Sequence, residues 1–159
     1  SSAASDVYKR QVQENEELGF VGSPTNVDQS IIDKIIADKK VPIIAPLGLD
    51  KNDQTYNVNA DTAAGYIAKK INARRLIILS DVEGVLDNNK NLIPEINSES
   101  IKNLIDNEII NGGMIPKINN CLDVASNGVK GVVIIDGRKN HSVLFELLSD
   151  EGSGTLIRQ

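Results

Sequence analysis

Apolar residues recur along this chain with two different periods. Ala60, Ala63, Ala64, Ile67, Ala68 and Ile71 fall at i, i+3, i+4, i+7, i+8 and i+11, which is one face of an amphipathic helix. That face is mostly alanine, so the helix must approach closely whatever it packs on. Val27, Ile31, Ile32, Ile35 and Ile36 predict a second helix within 26–39, with Asn26 as its cap. A third is expected over 98–110, capped by Ser98, with Ile101, Leu104 and Ile105 inward. A fourth spans 114–128: Pro116 suits its first turn, Gly128 suits the position just past its end, and Ile115, Ile118, Leu122 and Ala125 face inward. A fifth covers 141–150. Between them lie continuous apolar runs. "RLIILSD" (75–81) and "GVVIIDG" (131–137) read as parallel strands covered on both faces. "GTLIR" (154–158) reads as a last strand. "KVPIIAPLG" (40–48) reads as a buried strand feeding a turn, and "GFVGSP" as a strand-turn within 12–25. Residues 49–58 suit a hairpin or loop, Asn88-Asn89 a turn and 111–113 a loop. Strands alternating with helices predict an α/β fold, an αβα sandwich around a mainly parallel central sheet.

Composition narrows the picture. Residues 1–11, "SSAASDVYKRQ", are small, polar and aperiodic, and are set aside as a disordered leader or artefact, leaving 12–159 as one lobe. With 40% hydrophobic and 25% charged residues the chain should bury a core, and with 3% aromatics that core must be aliphatic. The net charge of −5, without a basic stripe, argues against a nucleic-acid partner. No apolar run approaches the ~20 residues that span a membrane. Cys121 is the only cysteine, which fits a reducing, cytoplasmic setting and a small buried hydrophobe. The single His and single Cys leave too few ligands for a zinc site.

In parallel sheets ligands bind beyond the carboxyl ends of the strands. Three polar segments are expected there: Ser80-Asp81 and the loop to Leu86, the helix start at Asn57–Asp61, and "NGGMIPK" (111–117). Asn59 as a cap and Asp61 in the first turn are explained by local helix chemistry alone, whereas Asn57 is not. Lys117 in a first turn is unfavourable at the positive end of the helix dipole unless an anion binds there. Backbone N–H groups, dipole and lysine would then all face it. The alternative is a solvated surface lysine. No G-x-x-x-x-G-K-[ST] loop occurs, and "GSG" (152–154) precedes a strand-like run, which does not suit a dinucleotide fingerprint.

Two resemblances bear on these segments. "SDVEGVLD" resembles the D-x-D-G-T-x-x-D signature of haloacid-dehalogenase phosphatases, which would make Asp81 a nucleophile. It departs from that signature at Glu83 and Val85, lies mid-chain and lacks a downstream acidic pair for magnesium. "NVNADTAA", "LIILSDVEGVLD" and "GGMIPKI", in this order and spacing, resemble the C-terminal, nucleotide-binding lobe of the amino acid kinases. The likeness is to the branch that phosphorylates N-acetyl-L-glutamate in arginine biosynthesis, with aspartate, glutamate or carbamate as other acceptors within the family. It runs from about Phe20 to Arg158.

That resemblance implies roles by position. Asn57 would bind the acyl substrate, Asp61 would orient the catalytic lysines, and Lys117 would stabilise the transferring phosphoryl group. Asp81, Val82, Glu83, Gly84, Val85 and Leu86 would line the nucleotide, with Ile109, Ile110 and Asn111. The substrates would be ATP, with Mg2+ carried on its phosphates, and N-acetyl-L-glutamate; no tightly bound cofactor or protein-held metal is expected. The tail "HSVLFELLSDEGSGT" resembles that of arginine-inhibited members, making His141, Glu146 and Gly152 candidates for an arginine site. The alternative for His141 and Glu146 is a solvated helix face. The full-length protein is expected to be a homo-oligomer. The family's N-terminal lobe, with its first catalytic lysine and glycine-rich loop, has no counterpart after Val12. The chain is therefore read as a fragment, expected to bind nucleotide weakly and not to phosphorylate N-acetylglutamate alone.

Overall fold

The computed structural model describes residues 19–159, so the leader and the expected start at Val12 lie outside the described residues. Internal contacts divide the chain into two compact units, Ser1–Ile71 and Asn72–Gln159.

In the first unit, α1 (Gln29–Ala37) precedes a short antiparallel hairpin of β1 (Leu47–Leu49) and β2 (Thr55–Asn57), and α2 (Ala60–Lys70) follows. Asp28 rather than Asn26 caps α1, accepting from the Ser30 N–H at 3.0 Å. Asn59 caps α2 as expected, accepting from the Thr62 N–H at 3.0 Å. Val27 and Ile32 form the unit's buried centre, with Ile31, Ile44, Tyr66, Ile67 and Ile71 packed around them. Ile36 lies outside it, half exposed. The alanine face of α2 buries Ala63 and Ala68, and Gly65 with them. The strand expected over 40–48 does not form. Val41 and Ile43 are 85% and 83% exposed, and only Leu47–Leu49 pairs. Pro42 and Pro46 lack the N–H donors a ladder needs. The strand-turn expected in 12–25 is reduced, among the described residues, to a bridge between Val21 and Asn57.

The second unit holds a four-stranded sheet in the order β3 (Leu76–Ser80), β5 (Val132–Asp136), β6 (Gly154–Arg158), β4 (Glu95–Asn97). β3 and β5 are parallel, as are β6 and β4; β5 and β6 run antiparallel. The mainly parallel α/β reading holds. All five residues of β5 are buried, so both faces of the sheet are covered there. β3 is an edge strand, and its Leu79 is half exposed. α3 (Ser98–Asp106) ends four residues earlier than expected, where Glu108 takes a left-handed φ of 58°. Asn97, not Ser98, caps it through a reciprocal box with Ser100. α4 (Met114–Ser126) buries Ile118, Cys121, Val124 and Ala125, so its inward face is rotated from the expected one and Cys121 belongs to the core. Gly128 ends it at φ 100°. α5 (Ser142–Leu148) starts one residue after His141. Among the described residues no helix is long and apolar enough to cross a membrane.

Candidate functional site

In the first unit, Asn57 closes β2. Its main chain is committed on both sides, donating to the Phe20 carbonyl at 2.8 Å and accepting from the Gly22 N–H at 2.9 Å. Its exposed side chain is left outside that ladder. Asp61 stands in the first turn of α2, half-buried.

In the second unit, the loop Asp81–Leu86 leaves the carboxyl end of β3. Gly84 and Val85 are buried and Asp81 and Glu83 exposed. Val85 is 2% exposed and Ile110 1%, so both side chains belong to the core beneath the site. Beyond the loop, Asp87 accepts from the N–H groups of Asn89 and Asn91, each at 2.8 Å. Those bonds, led by Asn91, lower its carboxyl below the ordinary range. They fix the turn that returns as the bridge from Leu86 to Leu92.

The carboxyl end of β5 adds charged residues that the sequence reading passed over. Arg138 grips Asp136 with two side-chain bonds of 2.9 Å and one main-chain bond of 2.9 Å. The Arg138 guanidinium holds the Asp136 carboxyl down from 3.8 to about 2. Lys139 reaches Glu83 at 2.8 Å, joining the two strand-end loops. An arginine two residues after a strand-terminal aspartate was a signal available in "IIDGRK".

The segment Ile109–Asn111 leads into α4. Asn111 accepts the Met114 N–H at 3.1 Å and Gly112 takes a φ of 50°. A side-chain carbon at Gly112 or Gly113 would meet nothing within 4 Å, so open space borders this turn. Gly113 caps α4 without any side-chain bond. Lys117 is the fourth residue of α4, which begins at Met114 as expected. It is still close enough to the amino end to share an anion with it.

Glu146 and Gly152 come together on the wall of a cavity of about 300 Å³, with Arg75, Glu95 and Val133 among its other lining residues. Glu146 is 8% exposed; one oxygen meets Arg75 Nη1 at 3.1 Å and the other accepts the Ser153 N–H at 2.9 Å. Gly152, at φ 71°, lets the chain pass the carboxylate: a Cβ there would stand 3.0 Å from Glu146 Oε2. His141 is not on this wall. It caps α5 from a left-handed conformation, φ 61°.

The acetylglutamate kinase of Pelagibacter ubique (strain HTCC1062) is 70% identical over 148 residues, 93% of this chain and 51% of that protein. That of Rhodopseudomonas palustris (strain TIE-1) is 47% identical over 148 residues, covering 93% of this chain and 50% of the relative. The chain thus spans about half the length of the curated relatives it matches. Among solved structures, smu.665 from Streptococcus mutans UA159 superposes with a TM-score of 0.80 at 31% identity, over 99% of this chain and 59% of that one. The N-acetylglutamate synthase of Neisseria gonorrhoeae, complexed with coenzyme A and L-arginine, shares the fold. It gives a TM-score of 0.84 at 20% identity, over 96% of this chain and 36% of that one. The sequence profile described as the amino acid kinase family matches residues 2–136. A match over most of the chain decides the assignment and leaves no support for the phosphatase reading of Asp81: the chain belongs to the amino acid kinase family.

Proposed function

We propose that the whole protein to which this chain belongs is an acetylglutamate kinase. In the proposed reaction a γ-carboxylate oxygen of N-acetyl-L-glutamate attacks the γ-phosphorus of ATP. The bond to the β,γ-bridging oxygen breaks, ADP leaves, and an acyl phosphate forms. Such transfer depends on positioning and on positive charge at the phosphoryl oxygens. The observation that carries the reading is the amino end of α4. It has no side-chain cap, open space at Gly112 and Gly113, and Lys117 in the adjoining turn. Main-chain N–H groups, helix dipole and a lysine gathered at one helix end suit an anion such as a transferring phosphoryl group. Asp81–Leu86 and Ile109–Asn111 are proposed to line the nucleotide, Asn57 to contact the acyl substrate and Asp61 to act as the orienting aspartate. Magnesium is assigned to the ATP phosphates.

Arginine is proposed as the ligand of the cavity at Glu146 and Gly152. Its guanidinium would have to displace Arg75 from Glu146, or Arg158 from Glu95. Trapping the acyl phosphate as a hydroxamate tests the activity. The full-length protein with ATP and N-acetylglutamate should form it, and the 159-residue chain alone should not. Robust turnover by the chain alone would overturn the assignment of half the catalytic machinery to the rest of the protein.

A further inference from the structure

Thr155 lies on β6, fully buried. Its hydroxyl donates to the Ile93 carbonyl at 2.8 Å and accepts from the Val85 N–H at 2.8 Å. Ile93 in turn donates to the Val85 carbonyl at 2.8 Å. One hydroxyl thus ties the loop Asp81–Leu86 to β6 and to the segment entering β4, across sequence separations of 70 and 62 residues. Gly84 presses on the same group. Its φ of 144° is a conformation side chains rarely adopt, and a Cβ there would stand 2.5 Å from Thr155 Oγ1 and 2.8 Å from Leu92 Cδ1. A further tether, Glu83 to Lys139, joins two half-exposed side chains, and such a pair contributes little and is screened by salt. A buried hydroxyl with both functions used is the stronger anchor, because breaking it strands a buried N–H.

We infer that Thr155 is the positioning residue of the nucleotide loop, acting through the Val85 N–H without touching nucleotide itself. The inference rests on the reading of Asp81–Leu86 as nucleotide-lining. A loop already held in its binding shape loses less freedom when a ligand arrives, so releasing it weakens binding without removing any contact.

The test compares the 159-residue chain with Thr155→Val and Thr155→Ser. The readouts are amide hydrogen exchange at residues 82–86, MgATP affinity by calorimetry, and melting temperature. Thr155→Val should speed loop exchange and weaken MgATP binding about tenfold, and Thr155→Ser should restore both. A purely structural role would lower the melting temperature and leave the affinity of the folded protein unchanged, which would overturn the inference. Loop exchange unaltered in folded Thr155→Val would overturn it too. If the unsubstituted chain binds no MgATP, the nucleotide reading of the loop falls, and loop exchange alone decides whether Thr155 fixes it. If Thr155→Val does not fold, Gly84→Ala strikes the same hydroxyl from the loop side. It should produce the same faster exchange; normal exchange there would refute the anchor.

Discussion

Gly154→Ala is a severe test of how β5 and β6 are joined. Gly154 pairs with Ile135, and Thr155 with Ile134. A Cβ at Gly154 would lie 1.9 Å from the Ile134 carbonyl oxygen, 2.8 Å from Ile135 Cγ2 and 2.9 Å from the Ile134 carbonyl carbon. Gly154 is not among the positive-φ glycines, so the conflict is one of space and not of backbone conformation. The closest contact falls 1.1 Å short of the 3.0 Å below which real Cβ atoms are essentially never found. The atom met is main chain, so no side-chain rotation relieves it. β6 or β5 must shift, in a sheet where β5 is buried at every position. Overpacking usually costs 1–3 kcal/mol, and a main-chain collision belongs at the upper end, about 3 kcal/mol. For a domain of this size that lowers the melting temperature by about 10 °C. Gly131→Ala is the control, since its Cβ would meet only Leu156 Cδ1, a movable side-chain end, at 2.8 Å. Thermal melts followed by circular dichroism decide the matter. If Gly154→Ala melts within about 2 °C of the parent, or above Gly131→Ala, the strand register drawn above is wrong.

Two further predictions concern charge. Lys117→Ala in the full-length protein should lower kcat about a hundred- to a thousandfold, with a much smaller change in KM for ATP, because in the proposed reaction the lysine would act on charge that develops during transfer; a change confined to KM would make it a binding residue only. Asp136 titrates about 2 in the folded chain against an ordinary 3.8. Its contribution to stability is therefore present above pH 3.8 and lost as the pH falls through 2. Urea midpoints measured from pH 5 downward should fall more steeply for the parent than for Asp136→Asn, and parallel curves would contradict the Arg138 pairing.

Much of this was legible from local pattern. The alanine spacing of α2, the Asn59 cap, the buried run of β5 and the Gly128 stop each follow from a short window in which every residue argues for the same element. The caps of α1 and α3 were misplaced by one or two residues because several good capping residues lie side by side, and only the bonds actually made, such as the Asn97–Ser100 box, choose among them. The segment 40–48 misled for a different reason. An apolar run reads the same whether or not a neighbouring strand pairs with it, and the pairing partner is not written in the run. The inward face of α4 turned about the shared positions Ile118 and Ala125: Cys121 and Val124 on one side of them are buried, and Ile115 and Leu122 on the other side are only partly so. Thr155 was invisible, since a hydroxyl that meets a loop 70 residues away leaves no local trace. For the candidate site, residue types and spacing pointed to Asp81 and Lys117, and the resemblance of the tail pointed to Glu146. They could not show that Arg75 already holds Glu146, nor that His141 lies off the cavity wall.

The proposed nucleotide site comprises Asp81–Leu86, Ile109–Asn111 and Lys117. Titrating the isotopically labelled 159-residue chain with MgADP, and following each backbone amide by NMR, tests it most directly. Saturable shifts centred on residues 81–86 and 109–117 are expected. No shifts at all, or shifts centred on the cavity around Arg75 and Glu146, would contradict it.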